Sequence, residues 1–230
     1  MRRPTVGMLA AVLMLVAAGA PFALAQIPVT DDTFTSTAAP AKNYGGAIAI
    51  VLQSPTAPGS LANPSQPSGY VANAYLRFDL AGSLPSGLAA SNVSKATLRL
   101  YVDAIVSPGT FDVYLANGPW SESTLTVNTP PPPLGALVTS GIHVTTVLKY
   151  IDVDVTSAVQ AWLNGTANNG LVLVPSTGSN IFAAFDSKEN PLTSQATQLN
   201  VILVSAGPQG PQGPQGPLAK GWYKTAGANP

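Results

Sequence analysis

Hydrophobic and polar residues alternate with a period of two along several short stretches of this chain. Residues 74–80 are Ala-Tyr-Leu-Arg-Phe-Asp-Leu, and residues 96–103, 111–115 and 151–155 repeat the alternation. A period of two places one face of a β-strand in the core and the other in solvent. Glycine and proline separate these stretches, which predicts an all-β antiparallel sandwich or barrel. Four further strands are predicted, at 47–52, 170–174, 181–186 and 198–204.

One short helix is predicted after residue 155. Thr156 is a suitable N-cap, and Gly165 is a suitable residue just beyond the C-terminus. An apolar stripe at helical spacing is formed by Val155, Val159, Trp162 and Leu163. We expect this stripe to pack over one end of the sandwich, with Trp162 in the core rather than on a binding surface.

Two segments lack the pattern of a strand. Residues 54–69 are rich in proline, serine, alanine and glycine and are predicted to form a mobile loop. Residues 129–133 contain four consecutive prolines, which have no N–H to donate to a sheet. This second segment is therefore predicted to cross outside the sheet.

The first 25 residues have the composition of a secretory signal peptide. Arg2 and Arg3 form a basic segment, residues 6–20 are apolar but short for a membrane span, and Ala23-Leu24-Ala25 is a suitable cleavage site. An uncleaved N-terminal anchor is the alternative. We expect a secreted protein, extracellular or on the cell surface, whose mature chain has no membrane span.

Four Gly-Pro-X triplets follow the predicted sandwich domain, which spans residues 26–205. They run from Gly207 to Leu218, and glycine at every third position is what a collagen triple helix requires. Four triplets offer few contacts between chains. We therefore interpret residues 206–218 as a collagen-like extended linker and residues 219–230 as a C-terminal tail, and we favour a monomer over a collagen-mediated trimer.

Composition limits the expected partners and chemistry. Acidic residues exceed basic ones once Arg2 and Arg3 are removed, so nucleic acid is not an expected partner. Hydrophobic residues make up 46% of the chain, which is enough to form a core. The chain has no cysteine, so it offers no thiol nucleophile and no cysteine-ligated metal. A domain of this length does not need disulfides to fold.

The order of several short motifs resembles the DNRLRE domain, the disaggregatase-related repeat. These motifs are Asn43-Tyr44-Gly45, Leu76-Arg77-Phe78-Asp79-Leu80, Ala96-Thr97-Leu98-Arg99-Leu100-Tyr101, Trp120-Ser121-Glu122, Asp154-Val155-Thr156, Val159-Gln160-Ala161-Trp162, Asn169-Gly170-Leu171, Phe185-Asp186-Ser187-Lys188-Glu189 and Leu199-Asn200-Val201. The resemblance implies a jelly-roll-like β-sandwich of secreted microbial proteins, expected here to be bacterial. Some of these relatives are carbohydrate-binding modules for acidic polysaccharides such as alginate.

Candidate catalytic residues are few. His143 is the only histidine, and no Gly-x-Ser-x-Gly motif marks a partner serine, so we interpret it as a sheet residue. Asp152 and Asp154 share one strand face, whereas glycoside hydrolysis needs two acids that face each other across a cleft. The sequence therefore favours a protein that is not an enzyme.

Metal binding has one weak candidate. Asp31, Asp32 and Asp186 could supply oxygen ligands to Ca²⁺, but they do not lie in a loop with calcium-binding spacing. We therefore expect neither a metal nor a cofactor.

The candidate binding site is the outward face that the alternation predicts. Its residues are Tyr75, Arg77, Arg99, Tyr101 and Tyr114. If strands 74–80 and 94–103 lie close together, two guanidinium groups and three phenols form one patch. Such a patch suits sugar rings and the carboxylates of uronates. The alternative is that Arg77 and Arg99 pair with Asp79 and Asp103 and bind nothing.

These patterns favour a secreted, non-catalytic module of the cell surface or extracellular matrix. It would be structural or carbohydrate-binding, with an acidic polysaccharide as ligand. The alternative is a polysaccharide-active enzyme related to disaggregatase. Two facing carboxylates in a cleft would favour the enzyme, and a flat face of aromatic rings and arginines would favour the binding module.

Overall fold

The computed structural model describes residues 22–59, 68–193 and 195–204. Most of the predicted signal peptide, all of the predicted collagen-like linker and all of the predicted C-terminal tail lie outside these residues. Ten strands and one α-helix are described, and every strand pairing is antiparallel. They are β1 (Phe22–Ser36), β2 (Ala49–Gln53), β3 (Ala72–Phe78), β4 (Val93–Ser107), β5 (Gly109–Ala116), β6 (Leu134–Val144), β7 (Lys149–Asp154), α1 (Thr156–Leu163), β8 (Leu171–Pro175), β9 (Phe182–Asp186) and β10 (Gln198–Val204), with a 3₁₀ turn at Ala90–Asn92.

The sheet closes on itself through β1. The first half of β1 pairs with β10, and after a bulge between Val29 and Asp31 the second half pairs with β3. From β10 the order runs through β4, β9 and β2, and it returns to β3 at the pair Gln53–Ala72. We call β10, β4 and β7 the first sheet and β3, β8, β5 and β6 the second sheet. The predicted all-β antiparallel sandwich is confirmed, with a barrel-like closure.

The core lies between the two sheets. Leu76 and Phe78 of β3 belong to the same buried cluster as Leu98 and Leu100 of β4. Burying a side chain of this size contributes about 1.5–3 kcal/mol to folding. Because successive residues of a strand point to opposite faces, the residues next to these four point away from the core. The outward side chains of β3 and β4 therefore lie on opposite surfaces of the molecule.

Helix α1 closes one end of the sandwich, as predicted. Trp162 is 7% exposed and belongs to the core cluster, which confirms its assignment to the core. Gly165 has a φ of +99°, a conformation that favours glycine. Its N–H donates to Trp162 O at 3.1 Å, and Thr166 N–H donates to Ala161 O at 3.0 Å. These two bonds form a Schellman cap, so the helix ends where the sequence predicted.

The start of α1 differs from the prediction by one residue. Val155 is the N-cap, and Thr156 is the first helical residue. The carboxylate of Asp154 accepts the backbone N–H of Thr156 at 2.9 Å and its hydroxyl at 2.7 Å. These hydrogen bonds lower the pKa of Asp154. An exposed carboxylate at the start of the helix thus takes over the role expected of the Thr156 hydroxyl.

The described parts of the two segments predicted to be irregular lie outside the strands. Residues 129–133 lie between β5 and β6, as expected for a proline run, and Pro133 O accepts the N–H of Asn117 at 3.0 Å. Residues 60–67 of the predicted loop lie outside the described residues. Its ends are attached to the body, because Ser54 N–H donates to Ile181 O at 2.8 Å and Ser68 N–H donates to Ala57 O at 2.7 Å.

Strand β1 begins four residues before Gln26. Residues 22–25 pair with residues 201–204 of β10. Cleavage before Gln26 remains a prediction, and it would remove this part of the ladder. No helix among the described residues is long and apolar enough to cross a membrane.

Candidate functional site

The five residues predicted to form one patch are divided between the two sheets. Arg99 and Tyr101 lie on β4 in the first sheet, whereas Tyr75 and Arg77 lie on β3 and Tyr114 lies on β5 in the second sheet. Strands β1 and β10 separate β3 from β4 on one side, and β9 and β2 separate them on the other. The expectation of a single patch is therefore wrong. β3 and β4 follow each other in sequence but lie in different sheets of this sandwich, and alternation within a strand gives no information about that crossing.

The first sheet has an open outer face with an aromatic centre. Tyr101 of β4 lies opposite Tyr150 of β7, and the two rings meet edge to face with centroids 5.1 Å apart. The guanidinium carbon of Arg99 lies 4.4 Å from the centroid of the Tyr150 ring. Asp152, opposite Arg99 on β7, accepts a hydrogen bond from Arg99 Nε at 2.9 Å. We call Arg99, Tyr101, Tyr150 and Asp152 the arginine–tyrosine platform.

The arginine of the platform is held in place but retains hydrogen-bonding capacity. A guanidinium has five N–H donors, and Arg99 uses only Nε within the described part of the chain. Stacking on Tyr150 and the ion pair with Asp152 fix its plane. The terminal N–H groups are therefore oriented without being consumed. An oxyanion that approached this face would meet a fixed guanidinium fork beside two partly exposed aromatic rings.

Strand β10 adds amide side chains to the same face. Gln198 lies opposite Arg99, and Asn200 lies opposite Thr97. Asn200 Oδ1 is buried and has no hydrogen-bond partner among the described residues. A polar atom in this state lowers stability unless water or another molecule reaches it. The edge of the platform thus has an acceptor that a hydroxyl could satisfy.

The outer face of the second sheet is covered at one end. Residues 117–133, which connect β5 to β6, fold over β3, and we call this segment the cover. Trp120 of the cover packs on Tyr75 with ring centroids 5.9 Å apart and donates from Nε1 to Asn169 O at 2.8 Å. Tyr75 points away from the main core, as predicted, but it is only 3% exposed, so the expectation that it is accessible is wrong. Burial also raises the pKa of Tyr75.

Arg77 is also bound to the cover. Nε and Nη2 contact the two carboxylate oxygens of Asp31 at 2.9 and 2.7 Å, and Nη1 donates to Trp120 O at 3.1 Å. The guanidinium carbon lies 5.2 Å from the centroid of the Trp120 ring. Arg77 thus joins β1, β3 and the cover. Tyr114 is partly exposed, in a row with Val172 of β8 and Leu137 of β6.

Both arginines pair with carboxylates, but not with the predicted ones. The expected partners were Asp79 and Asp103, which lie on or next to the same strands as the arginines. The observed partners are Asp31 and Asp152, which lie directly opposite on neighbouring strands. Directly opposite residues of neighbouring strands are closer to each other than residues two or four apart on the same strand. Proximity along the chain therefore did not identify the aspartates that pair with these arginines.

The three aspartates considered for calcium bind different partners. Asp31 pairs with Arg77, and Asp186 accepts hydrogen bonds from Asn190 and Thr193. Asp32 accepts from the hydroxyl of Ser187 at 2.9 Å and from the backbone N–H of Lys188 at 2.8 Å. These three residues therefore do not form the predicted group.

Asp32 instead approaches Glu122 and Glu189, with oxygens within 4.8 Å of one another. The Lys188 ammonium contacts Glu122 at 2.8 Å and also contacts Glu189, so it supplies the positive charge that this cluster needs. Burial would lower the pKa of Lys188, but the contacts with these two glutamates outweigh it and raise that pKa. Burial raises the pKa of Asp32 to about 6, against the hydrogen bonds from Lys188 and Ser187.

Sequence reasoning missed Tyr150 and Trp120. Tyr150 alternates with Ile151 and Val153 just as Asp152 does, so the same period-two rule places it on the outward face. Trp120 lies in a turn-rich segment without periodicity, and the sequence gives no signal for its position over β3. His143 is exposed on β6 opposite Thr110, which confirms its assignment to a strand.

The sequence profile of a known family fits nearly all of the described body. Carbohydrate-binding module family 96 matches residues 23–202, and the chain belongs to this family. No curated protein matches the sequence. The match covers both sheets, the helix and the cover, so the platform lies within the family domain. The expected relation to carbohydrate-binding modules is confirmed.

Proposed function

We propose that this member of carbohydrate-binding module family 96 is a secreted, non-catalytic module that binds an acidic polysaccharide through the arginine–tyrosine platform. The observation that carries the proposal is Arg99, which lies over the Tyr150 ring with terminal N–H groups that no described residue accepts. The alginate-type ligand implied by the resemblance to DNRLRE proteins fits this chemistry.

A uronate ring offers two surfaces that match the platform. Its carboxylate can accept two parallel hydrogen bonds from a guanidinium, a geometry that a lysine cannot reproduce. Its C–H face can pack on the apolar faces of Tyr101 and Tyr150. Both surfaces are needed at neighbouring points, and Arg99 and the two tyrosines lie side by side.

An acidic polysaccharide must be attracted by contacts at Arg99 rather than by the net charge of the protein. All 10 acidic residues of the protein lie in the described part, whereas Arg2, Arg3, Lys220 and Lys224 do not. The body therefore carries excess negative charge, which opposes long-range steering of a polyanion. Binding at Arg99 should then depend on short-range contacts and weaken as salt is added.

The test compares polyuronate binding by the parent protein and by Arg99→Ala. We expect at least a tenfold loss of affinity in isothermal titration, because hydrogen bonds to a charged group contribute about 1.5–3 kcal/mol and 1.4 kcal/mol is tenfold. Arg99→Lys should recover only part of it. The same polysaccharide with its carboxyl groups reduced should bind weakly to all three proteins.

Lys42→Ala is the matched control, since Lys42 lies 4.8 Å from the ring centroid of Tyr44 and its removal also deletes one cation from a tyrosine face. Equal affinities of the parent and Arg99→Ala would contradict the proposal. Release of new reducing ends from the polysaccharide would contradict the non-catalytic role and favour the disaggregatase-like enzyme.

A further inference from the structure

A cleft, separate from the platform, lies at the end of the sandwich closed by α1. The cleft has a volume of about 660 Å³ and lies between the C-terminal end of β3, residues 80–88 that follow it, and the end of the helix. Pockets of about 300–1,000 Å³ are the usual size for small ligands. The platform lies on β4 and β7, and neither strand contributes a residue to this cleft.

The cleft combines an apolar wall with polar groups. Trp162 and four leucines, Leu80, Leu84, Leu88 and Leu163, line it. Trp162 Nε1 is buried and has no hydrogen-bond partner in the described part of the protein. An indole N–H left in this state lowers stability, so a ligand hydroxyl that reached it would bind favourably.

Hydrogen-bond donors and acceptors that no described residue uses lie beside this apolar wall. Arg77 uses three of its N–H groups on Asp31 and Trp120, which leaves two of the five. Asp79 accepts the N–H of Gly82 through Oδ1 at 3.1 Å, and no described donor binds Oδ2. A Cβ at residue 82 would lie 2.5 Å from Asp79 Oδ2, so a larger residue there would displace this oxygen. The absence of a side chain at residue 82 thus keeps the second oxygen of Asp79 accessible.

The charges of the cleft select an uncharged ligand. The guanidinium of Arg77 is already neutralised by Asp31, and Asp79 adds a further negative charge. An anionic sugar would be repelled by Asp79, whereas two adjacent sugar hydroxyls can donate to its carboxylate and accept from Arg77. The C–H face of a pyranose would pack on Trp162 and the leucines. The platform, by contrast, suits a sugar that carries a carboxylate.

We propose that this cleft is a second carbohydrate site, which binds an uncharged sugar residue through Asp79, Arg77 and the Trp162 wall. It rests on the carbohydrate-binding family of the chain but not on the platform. The protein then has two sites of different specificity, one for a carboxylated sugar and one for a neutral sugar. A single polysaccharide with both kinds of sugar, or two different polysaccharides, could occupy them together.

The test follows the indole N–H signal of Trp162 in the ¹⁵N-labelled full chain, identified by its loss in Trp162→Phe. The probes are neutral trisaccharides of glucose, galactose and mannose, with a trimer of mannuronate as the anionic comparator. We expect at least one neutral probe to shift this signal saturably and the mannuronate trimer not to. The absence of a saturable shift with all three neutral probes would overturn the proposal, as would an equal shift with mannuronate.

Two variants separate the cleft from the platform. Ala81→Phe fills the cleft from an exposed lining position, and Ala136→Phe makes the same change at an exposed position on β6. Asp79→Asn keeps an acceptor for Gly82 but removes the charge, and it should weaken the neutral probe about tenfold. Ala81→Phe should abolish the shift, and Ala136→Phe should preserve it.

Polyuronate binding distinguishes the failure of this proposal from failure of the platform. Asp79→Asn and Ala81→Phe should bind polyuronate as the parent does, and Arg99→Ala should bind the neutral probe as the parent does. Unchanged binding of the neutral probe in both cleft variants would overturn the second site and leave the platform intact. If Ala81→Phe loses the circular dichroism of the parent, Asp79→Asn alone decides between these outcomes.

Discussion

The two outer faces of the sandwich contain the same chemical unit in two different states. On each face an arginine lies over an aromatic ring and pairs with a cross-strand aspartate: Arg99 with Tyr150 and Asp152, and Arg77 with Trp120 and Asp31. Both arginine side chains are 32% exposed, yet their carboxylate partners are 58% and 21% exposed, respectively.

The two faces differ in whether a connecting segment covers them. Residues 117–133 bring Trp120 over the second sheet, and the backbone oxygen of Trp120 takes a further N–H from Arg77. No such segment contacts the platform among the described residues. Arg77 therefore ties the cover to the fold with three of its five N–H groups, whereas Arg99 uses only one on the described residues and keeps four. An outward position in a strand does not by itself make a side chain accessible.

Removing the cover residue should have the largest effect. Trp120 is 8% exposed, and Trp120→Ala should lower the free energy of unfolding by about 3–5 kcal/mol, the usual loss for a buried tryptophan. Tyr150→Ala, the equivalent change on the open face, should cost about 1–2 kcal/mol. Urea denaturation measures both, and equal losses would mean that the cover does not distinguish the two faces.

Titration of Asp32 should have the next largest effect on stability. Asp32 is attached to the cover, since Glu122 accepts its backbone N–H. The pKa of Asp32 is raised from 3.8 to about 6, so the folded state holds its proton more tightly than the unfolded chain does. Its contribution to stability is complete below about pH 4 and is lost as the pH rises through about 6. One pKa unit corresponds to about 1.4 kcal/mol, which gives a change of about 3 kcal/mol at most.

Asp32→Asn removes this titration. Its stability relative to the parent should therefore improve as the pH rises from about 4 to about 7, measured by urea denaturation at each pH. Asp103→Asn, at an exposed position, is the control and should follow the parent. A constant difference between Asp32→Asn and the parent at every pH would refute the assignment.

Arginine deletion should have a smaller effect on stability and should differ between the faces. Arg77→Ala leaves Asp31 without its partner under the cover and should cost about 1–3 kcal/mol. Arg99→Ala removes an exposed pair and should cost less than about 1 kcal/mol. Thermal unfolding of the two variants checks this order. The reverse order would show that Arg99, and not Arg77, is the structural arginine.

The smallest expected effect is the salt dependence of the two ion pairs. A double-mutant cycle on Arg99 and Asp152 should give a coupling energy that falls toward zero as salt is added, because the Asp152 carboxylate is 58% exposed. The cycle on Arg77 and Asp31 should be less sensitive to salt. Equal salt dependence would place both pairs in the same solvent environment.

The alternation of residues was sufficient to predict most strands and the helix. β10 was predicted at its observed limits, and β4, β5 and β7 within a few residues, because one face of each is buried and the other is partly wet. The strand β1 was not predicted, since its first residues fall in the predicted signal peptide and the polar run Thr30-Asp31-Asp32-Thr33 interrupts its apolar positions. The strand β6 has an irregular register with β5 and contains glycine, which obscures its pattern.

The sequence by itself determined which side of each strand a residue occupies. It thereby identified Arg99 and Tyr101 as outward residues of β4, and it marked Trp162 as part of the apolar stripe of a helix. These properties depend on local periodicity, which is set by the types of residues that lie close together in the sequence.

Only the tertiary structure decided which outward residues meet. Tyr150 reaches Arg99 from β7, more than forty residues along the chain, and Trp120 reaches Tyr75 from a segment without periodicity. Cross-strand register and the path of a connection depend on contacts between distant parts of the chain, and local alternation contains no record of them. For that reason two arginines with the same local pattern differ in role: Arg77 is tied to the cover through three of its N–H groups, and Arg99 stays on an open face with four of its five N–H groups unused by any described residue.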